Sequence, residues 1–197
     1  QHRRLSERGA LGFRIAEGYD AVRPALEAFL ALEARGWKGG AGTALLHDPA
    51  LANFARAMVW SAARRGQARI ALLELDGSPV AATILLNAGR RGFLWKIAHD
   101  EAHDACSPGV LLVRALSSWI AGLGGAGTVD SCAIPGHRMI EGLWSGRIAI
   151  IDLMIGLSPG RAAPYRAALT RERWRRALRG RVKAVYHRLR RGLRRGG

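Results

Sequence analysis

The chain has 197 residues, 49% of them hydrophobic, which is enough to build one domain with a full core. No apolar run reaches the roughly 18 residues that a membrane-spanning helix requires, and two cysteines are too few for a disulfide framework, which favours a reducing, cytoplasmic compartment. The net charge of +16 is concentrated in residues 171–197, which hold 12 of the 31 lysines and arginines, so it does not indicate that the remaining, mildly basic body binds nucleic acid.

The N-terminal part of the chain predicts one strand and two helices. A short strand is expected over residues 13–16, followed by a helix over residues 20–35 with Asp20 as its N-cap. A glycine-rich loop over residues 36–43 then leads to a second helix over residues 49–65.

Three short apolar segments follow in close succession. Residues 69–75, 80–86 and 93–98 predict strands, because they are apolar and turn sequences separate them at Asp76-Gly77 and at residues 89–92. This order predicts an antiparallel meander.

The next part of the chain alternates between helix and strand. We expect a helix over residues 110–121, a strand over 128–132, a short helix over 137–144 and a strand over 148–155. The sequence therefore predicts an α+β fold around one mixed, mostly antiparallel sheet flanked by helices.

The segment that joins the third meander strand to the next helix has the features of a phosphate site. Ser107 is a favourable N-cap residue and Pro108 a favourable first helical residue, so the following amides would point outward and suit a phosphate or pyrophosphate. An ordinary capped helix that packs on the sheet is the alternative at this stage.

Two further patterns are weak evidence for a dinucleotide-binding loop and for a metal site. The glycines of residues 122–127 match G-x-G-x-x-G, but they follow a helix and precede a strand, so we interpret them as a helix end and loop. The cluster His99, Asp100, Glu101, His103 and Cys106 lacks a recognised metal-ligand spacing, and we predict no metal site.

Residues 171–197 predict a basic amphipathic helix, separate from a body formed by residues 1–170. Its apolar residues recur every three or four positions: Trp174, Leu178, Val182, Val185, Leu189 and Leu193. Such a helix suits an anionic membrane surface, and packing on the body is the equal alternative; nucleic acid is the least favoured partner.

Several motifs together resemble one known family. They are residues 29–39 with the Trp-Lys-Gly sequence at Trp37, residues 42–45 and 94–98, Asp100-Glu101, residues 107–112 with the Ser-Pro-Gly sequence, and Asp130 with Trp144. The chain resembles the GNAT-fold acetyltransferases of the CelD/BcsL type, which are linked by name to cellulose and other exopolysaccharide synthesis. This type is similar to the FemABX aminoacyl transferases, in which two GNAT-like halves lie side by side.

The resemblance implies transfer of an acetyl or other acyl group from acyl-CoA to an amine or hydroxyl of a small-molecule or polysaccharide-precursor acceptor. It places the thioester and pyrophosphate against six residues: Ile97, Ala98, Ser107, Gly109, Val110 and Leu111. The acceptor would face Glu33, Trp37 and Lys38. From the residues alone, the favoured interpretation of Trp37 and Lys38 is structural, as a solvated loop pair or with Trp37 covering the core. The candidate bases are His99, Asp100, Glu101 and His137. The alternative is that Asp100 and Glu101 only cap a turn and that His99 only packs.

The chain departs from the family at two places. His99 stands where the family usually has tyrosine, and residues 134–138 replace a more usual acidic run. A module that has lost acyl-CoA chemistry and acts at a membrane surface is therefore the competing hypothesis. Because the chain begins Gln1-His2 and resembles only a C-terminal half, we also expect a preceding GNAT-like half and a location in the cytoplasm, peripheral to the inner face of the membrane.

Overall fold

The computed structural model describes residues 1–124, 127–156 and 162–193, and within the last range the side chains of residues 163–181. The chain divides into two units, Gln1–Gly146 and Arg147–Gly197. The glycine run of residues 122–127 is described except for Gly125 and Ala126. The side chains of the predicted apolar residues Val182, Val185, Leu189 and Leu193 lie outside the described part of the chain.

A five-stranded sheet forms the centre of the first unit. Its order is β1-β2-β3-β4-β5, with antiparallel pairing among the first four strands and parallel pairing of β5 with β4. The strands are β1 (Leu11–Glu17), β2 (Ala68–Leu75), β3 (Ser78–Ala88), β4 (Arg91–His99) and β5 (Thr128–Asp130). The predicted fold class and the predicted meander are confirmed.

Helices cover both faces of this sheet. They are α1 (His2–Ser6), α2 (Gly18–Arg35), α3 (Trp37–Gly40), α4 (Pro49–Arg64), α5 (Pro108–Gly122) and α6 (Arg138–Glu141). Phe29 of α2 and Val59 of α4 pack on one face, and Leu112 and Leu116 of α5 pack on the other. Because both faces are covered, the interior strand β2 is apolar almost without alternation.

A β-bulge interrupts β4. Ile84 of β3 pairs with Lys96 whereas Leu85 pairs with Leu94, so Trp95 is the extra residue. Beyond the bulge the two faces of β4 exchange: Trp95 packs with the α2 side of the sheet and Ile97 with the α5 side.

The helix boundaries correct the sequence prediction in one respect. Asp20 is not the cap of α2, because the helix already begins at Gly18, whose φ of +76° lets the chain turn directly out of β1. Asp20 lies in the first turn instead. The second predicted helix is confirmed as α4, which Asp48 caps by accepting hydrogen bonds from the amides of Ala50 and Leu51.

Three later elements are shorter than predicted or absent. β5 ends at Asp130, whose carboxylate accepts a hydrogen bond from the Cys132 amide at 2.8 Å and turns the chain, and the short helix α6 ends before Gly142. Residues 148–155 are not a strand: in the described part of the chain no strand pairs with them, and Ile151 and Leu153 are exposed. A run of apolar residues forms a strand only where a neighbouring strand accepts its backbone hydrogen bonds.

In the second unit, helix α7 spans Ala162–Leu193. The predicted basic helix is present and begins ahead of residue 171. Residues 147–156 contact this helix through the Tyr165 hydroxyl, which donates to the Met154 carbonyl at 2.9 Å, and through an ion pair between Arg176 and Asp152. None of the described helices is long and apolar enough to cross a bilayer.

Candidate active site

A small cleft lies where the α2–α3 turn meets the end of β4. Its lining, called the cleft below, consists of Leu32, Glu33, Gly36, Trp37, Lys38, Ile97, Ala98 and His99. The fold thus brings the three predicted acceptor-side residues against three of the predicted donor-side and catalytic residues, although about 60 positions separate the two groups in sequence.

The Glu33 carboxylate holds the cleft together. One oxygen accepts hydrogen bonds from Lys96 Nζ at 2.9 Å and Lys38 Nζ at 3.1 Å, and the other accepts from the Leu45 amide at 3.0 Å. The Glu33 side chain is fully buried, whereas the side chains of both lysines remain about one-quarter exposed. Glu33 therefore lies beneath the cleft surface and pairs with two lysines. An acceptor in the cleft would contact Lys38 and not the Glu33 carboxylate itself.

The Glu33 carboxyl stays ionised. Burial alone raises its pKa, but the hydrogen bonds from the Leu45 amide, Lys96 and Lys38 outweigh burial and hold the pKa of Glu33 below its ordinary value. A carboxylate with a lowered pKa is a poor proton acceptor at neutral pH, so Glu33 acts as a positioning group.

The outer edge of β4 is open beyond its first residues. β5 pairs only with Arg91–Phe93, and no other described strand pairs with the outer side of the residues that follow. The Ile97 carbonyl points outward, because it accepts a hydrogen bond from Lys38 Nζ at 3.0 Å. The amide of a residue in an antiparallel ladder points to the same side as its carbonyl, so the amides of Ile97 and, two residues later, His99 face this edge.

His99 lies at the end of that edge. Its Nε2 is 2.9 Å from Asp104 Oδ1, and since an ionised carboxylate can only accept, Nε2 carries a proton. In the neutral form of the imidazole, Nδ1 is then the acceptor. Nδ1 is directed towards the start of α5: a Cβ placed on Gly109 would be 3.8 Å from it.

The two acidic candidates next to His99 have structural partners. Asp100 accepts a hydrogen bond from the Ala102 amide at 2.9 Å and so caps the 3-10 turn Glu101–Cys106. Glu101 accepts from the amide of Trp37 at the start of α3. Both carboxylates therefore stabilise the turns that shape the cleft.

Ser107 precedes α5 as predicted but does not cap it with its side chain. Its backbone is left-handed, with φ +51°, whereas side-chain capping needs an extended N-cap residue. The hydroxyl instead accepts a hydrogen bond from Gln1 Nε2 at 3.1 Å, and the carbonyl accepts from the amides of Val110 and Leu111. The first turn of α5 still begins beside the open edge, as the contact of Gly109 with His99 and Ile97 shows.

His137 is not part of the cleft. It precedes α6 and is exposed, and Met139, two residues later, is the α6 residue that lies against Gly109. Among the described residues no three His, Cys, Asp or Glu side chains converge as metal ligands, and Cys106 and Cys132 are both free thiols.

Sequence reasoning missed Lys96 and Asp104. Lys96 was within a quoted motif, but strict alternation along β4 would turn it away from α2, and only the bulge at Trp95 brings it to Glu33. A lysine in the middle of an apolar strand was the available signal.

The comparisons identify the family. A model of the acetyltransferase (GNAT) domain matches residues 1–134. The chain belongs to this GNAT acetyltransferase family. It is accordingly an acyl-CoA-dependent acyltransferase, and no curated protein matches it closely enough to say more.

Solved structures with the same fold include three acetyltransferases. An aminoglycoside acetyltransferase from an uncultured soil metagenomic sample, in complex with sisomicin, has a TM-score of 0.53 and 8% identity over 78% of this chain and 99% of that one. Ribosomal-protein-alanine N-acetyltransferase from Brucella melitensis biovar Abortus 2308 has a TM-score of 0.50 and 15% identity over 75% and 100%. AAC(6')-Iy, in complex with the bisubstrate analogue CoA-S-monomethyl-acetylneamine, has a TM-score of 0.50 and 12% identity over 75% and 100%. At these identities the likeness establishes the fold alone.

We predict that Glu33→Gln destabilises the protein by about 1.5–3 kcal/mol at pH 7, because it removes a buried ionised acceptor from two lysines and an amide. The folded-state pKa of Glu33 is lowered, so its stabilisation is present above the ordinary pKa of 4.5 and is lost as the pH falls through the folded value. Urea unfolding at pH 7 and at progressively lower pH measures both effects.

The matched control is Glu27→Gln on the same helix. Glu27 forms a partly exposed ion pair with Arg56, so we expect a loss of about 0.5 kcal/mol or less. Equal losses for the two variants, or a Glu33→Gln deficit that persists unchanged in acid, would contradict the assigned role of Glu33.

Proposed function

We propose that the cleft and the open edge of β4 together transfer an acyl group from acyl-CoA to an amine of a small polar acceptor. The observation that carries the proposal is the hydrogen bond of Lys38 to the outward Ile97 carbonyl, which joins the acceptor-side turn to the edge of β4. Family membership supplies the acyl-CoA dependence.

The donor would lie along the edge of β4. The outward amides of Ile97 and His99 are suited to the thioester oxygen, on which negative charge develops during attack. The first turn of α5 offers the partly positive helix end for the pyrophosphate. The amides of Val110 and Leu111 already donate to the Ser107 carbonyl, so the Gly109 amide would be the direct donor. Because no described strand pairs with the outer side of this part of β4, a pantetheine arm with its own amides fits this edge chemically.

The acceptor would enter from the α3 side. Trp37 is 61% exposed and its ring is 6.0 Å from Lys38 Nζ, which gives a flat apolar surface beside a fixed cation. An amine as the attacking group is supported by the names of the similar structures, which are an aminoglycoside acetyltransferase and a ribosomal-protein-alanine N-acetyltransferase. A hydroxyl of a polysaccharide precursor is the second acceptor class, and it rests on the CelD/BcsL resemblance.

We assign the base to His99. The amine nitrogen attacks the thioester carbonyl, a C–N bond forms, and His99 Nδ1 accepts the proton that the nitrogen loses. The C–S bond then breaks, and the CoA thiolate leaves and takes up a proton. Asp104 holds the ring by its Nε2, whereas Asp100 and Glu101 are already engaged by backbone amides.

Two finer features belong to the same proposal. Membership of the CelD/BcsL type would place the enzyme in exopolysaccharide or cell-envelope synthesis. A preceding GNAT-like half, as in the FemABX enzymes, would then lie beside residues 1–146 and contribute to acceptor binding.

We further propose that residues 171–197 bind an anionic membrane surface. Trp174 and Leu178 of α7 are one helical turn apart, exposed by 71% and 63%, and arginines surround them. Residues 147–156 contact a different face of α7, that of Tyr165 and Arg176, so they leave this pair exposed.

We predict that acetyl-CoA binds this chain in a calorimetric titration and that Ser107→Glu weakens binding at least tenfold. The added carboxylate would stand at the start of α5 and repel the pyrophosphate. Ser118→Glu is the matched control, because it adds the same charge to an exposed position further along α5. Absence of binding to the parent chain, or equal weakening by both variants, would overturn the placement of the donor.

We predict that His99→Gln lowers kcat by about 10²- to 10⁴-fold in an assay of CoA thiol release with primary amines, with little change in the KM for acetyl-CoA. His103→Gln is the control, because His103 lies in the same turn but contacts Arg8. If both variants keep parental kcat, His99 is not the base.

We predict that the chain co-sediments with vesicles of phosphatidylcholine and phosphatidylglycerol, that salt weakens this binding, and that Trp174→Ser with Leu178→Ser reduces it about tenfold or more. Leu123→Ser, at a similarly exposed leucine of the first unit, is the control. Binding that the tail variant leaves unchanged, or that is equal on pure phosphatidylcholine, would refute the membrane proposal; salt-sensitive binding to RNA alone would assign the tail to nucleic acid.

A further inference from the structure

The chain uses arginine for almost all of its positive charge, yet two lysines meet in the candidate active site. Of its 31 lysines and arginines, only Lys38, Lys96 and Lys183 are lysines. Lys38 and Lys96 both donate to the same Glu33 oxygen, at 3.1 and 2.9 Å. A lysine amine becomes a nucleophile when it loses a proton, whereas a guanidinium stays charged. Arginine supplies positive charge elsewhere in this chain, so lysine at this place indicates a role for the amine.

Lys38 is the lysine that reaches the edge of β4. Its Nζ donates to the outward Ile97 carbonyl at 3.0 Å. Along one edge of an antiparallel strand, the carbonyl of a residue is followed by the amide of the residue two positions later. The neighbour of the Ile97 carbonyl is therefore the His99 amide, one of the two amides proposed to hold the thioester oxygen. A thioester held there would lie beside Lys38 Nζ.

The Lys38 amine is accessible through the cleft. Its side chain is 22% exposed, whereas that of its partner Glu33 is fully buried. Lys38 and His99 both line the cleft, and the exposed ring of Trp37 lies 6.0 Å from Lys38 Nζ. An acyl group in the cleft would therefore meet the amine directly and would have an apolar surface next to it.

We propose that Lys38 is a site of self-acylation, at which the enzyme transfers an acyl group from acyl-CoA to its own side chain. The proposal rests on the proposed function, because it uses the same thioester position. The Lys38 ammonium first gives a proton to water, and the neutral nitrogen then attacks the thioester carbon. The C–N bond forms, the C–S bond breaks, and the CoA thiolate takes up the second proton that the nitrogen loses. The products are an N-acylated Lys38 and free CoA.

The ion pair with Glu33 determines how self-acylation compares with the main reaction. Pairing with an ionised carboxylate favours the ammonium form of Lys38, which cannot attack, so self-acylation is slower than transfer to an acceptor amine. The acylated nitrogen carries no charge, so its ion pair with Glu33 is lost and the acyl group occupies the cleft. Self-acylation therefore inactivates the enzyme when acyl-CoA is present without an acceptor.

The test incubates the full chain with acetyl-CoA and no amine, and peptide mapping by mass spectrometry locates the acetyl groups. We expect acetylation of Lys38 to exceed that of Lys96 and Lys183 about tenfold or more, and transferase activity to fall in proportion to it. An excess of free CoA should suppress the modification, because free CoA competes for the donor site and carries no acyl group. An unmodified Lys38, equal acetylation of the three lysines, or acetylation that free CoA leaves unchanged would overturn the proposal.

Two matched variants assign the inactivation to Lys38. Lys38→Arg keeps the charge but has no amine, so it should retain its own starting activity throughout the incubation. Lys96→Arg makes the same exchange at the other lysine of Glu33 and should be acetylated at Lys38 as the parent chain is. Inactivation of Lys38→Arg at the parental rate would refute the proposal.

The outcomes for the parent chain separate this proposal from the proposed function. A parent chain that acetylates primary amines but leaves Lys38 unmodified would refute self-acylation alone. A parent chain that transfers acetyl groups neither to amines nor to Lys38 would refute both.

Discussion

The buried carboxylate of Glu33 is the constraint on which the candidate active site depends. It ties α2 to β4 through Lys96, to α3 through Lys38, and to the loop before α4 through the Leu45 amide. A buried ionised group is tolerated only when it is fully paired, so these segments cannot move apart independently. Because Lys38 must pair with Glu33, its ammonium group is held where it also donates a hydrogen bond to the Ile97 carbonyl.

Most of the fold follows from local sequence patterns. The β2–β4 meander, α4 and α5 were all predictable, because apolar periodicity and turn residues act over a few positions. What depends on distant partners was not predictable. The bulge at Trp95 appears only when β3 and β4 are paired, and residues 148–155 have a strand pattern but no described strand pairs with them. The start of α2 depended on a single positive φ at Gly18.

The candidate site was predictable in part. Sequence motifs selected Glu33, Trp37, Lys38 and His99, and the fold brings them into one cleft. The sequence did not predict which of these side chains is buried or which groups they hydrogen-bond. Glu33 is a buried support, Asp100 and Glu101 hold turns, and His137 lies elsewhere. These distinctions depend on burial and on hydrogen bonds between segments about 60 residues apart, which no local pattern encodes.

The strand order has a consequence for the folding pathway. Each of β2, β3 and β4 pairs with its neighbour in sequence, so the meander closes only short loops and can form early, whereas the cleft must bring Glu33 to Lys96 across 63 positions. The short loops therefore favour formation of the meander before Lys38 reaches Ile97. Catalytic competence would then appear in the last phase of refolding, after most secondary structure has formed.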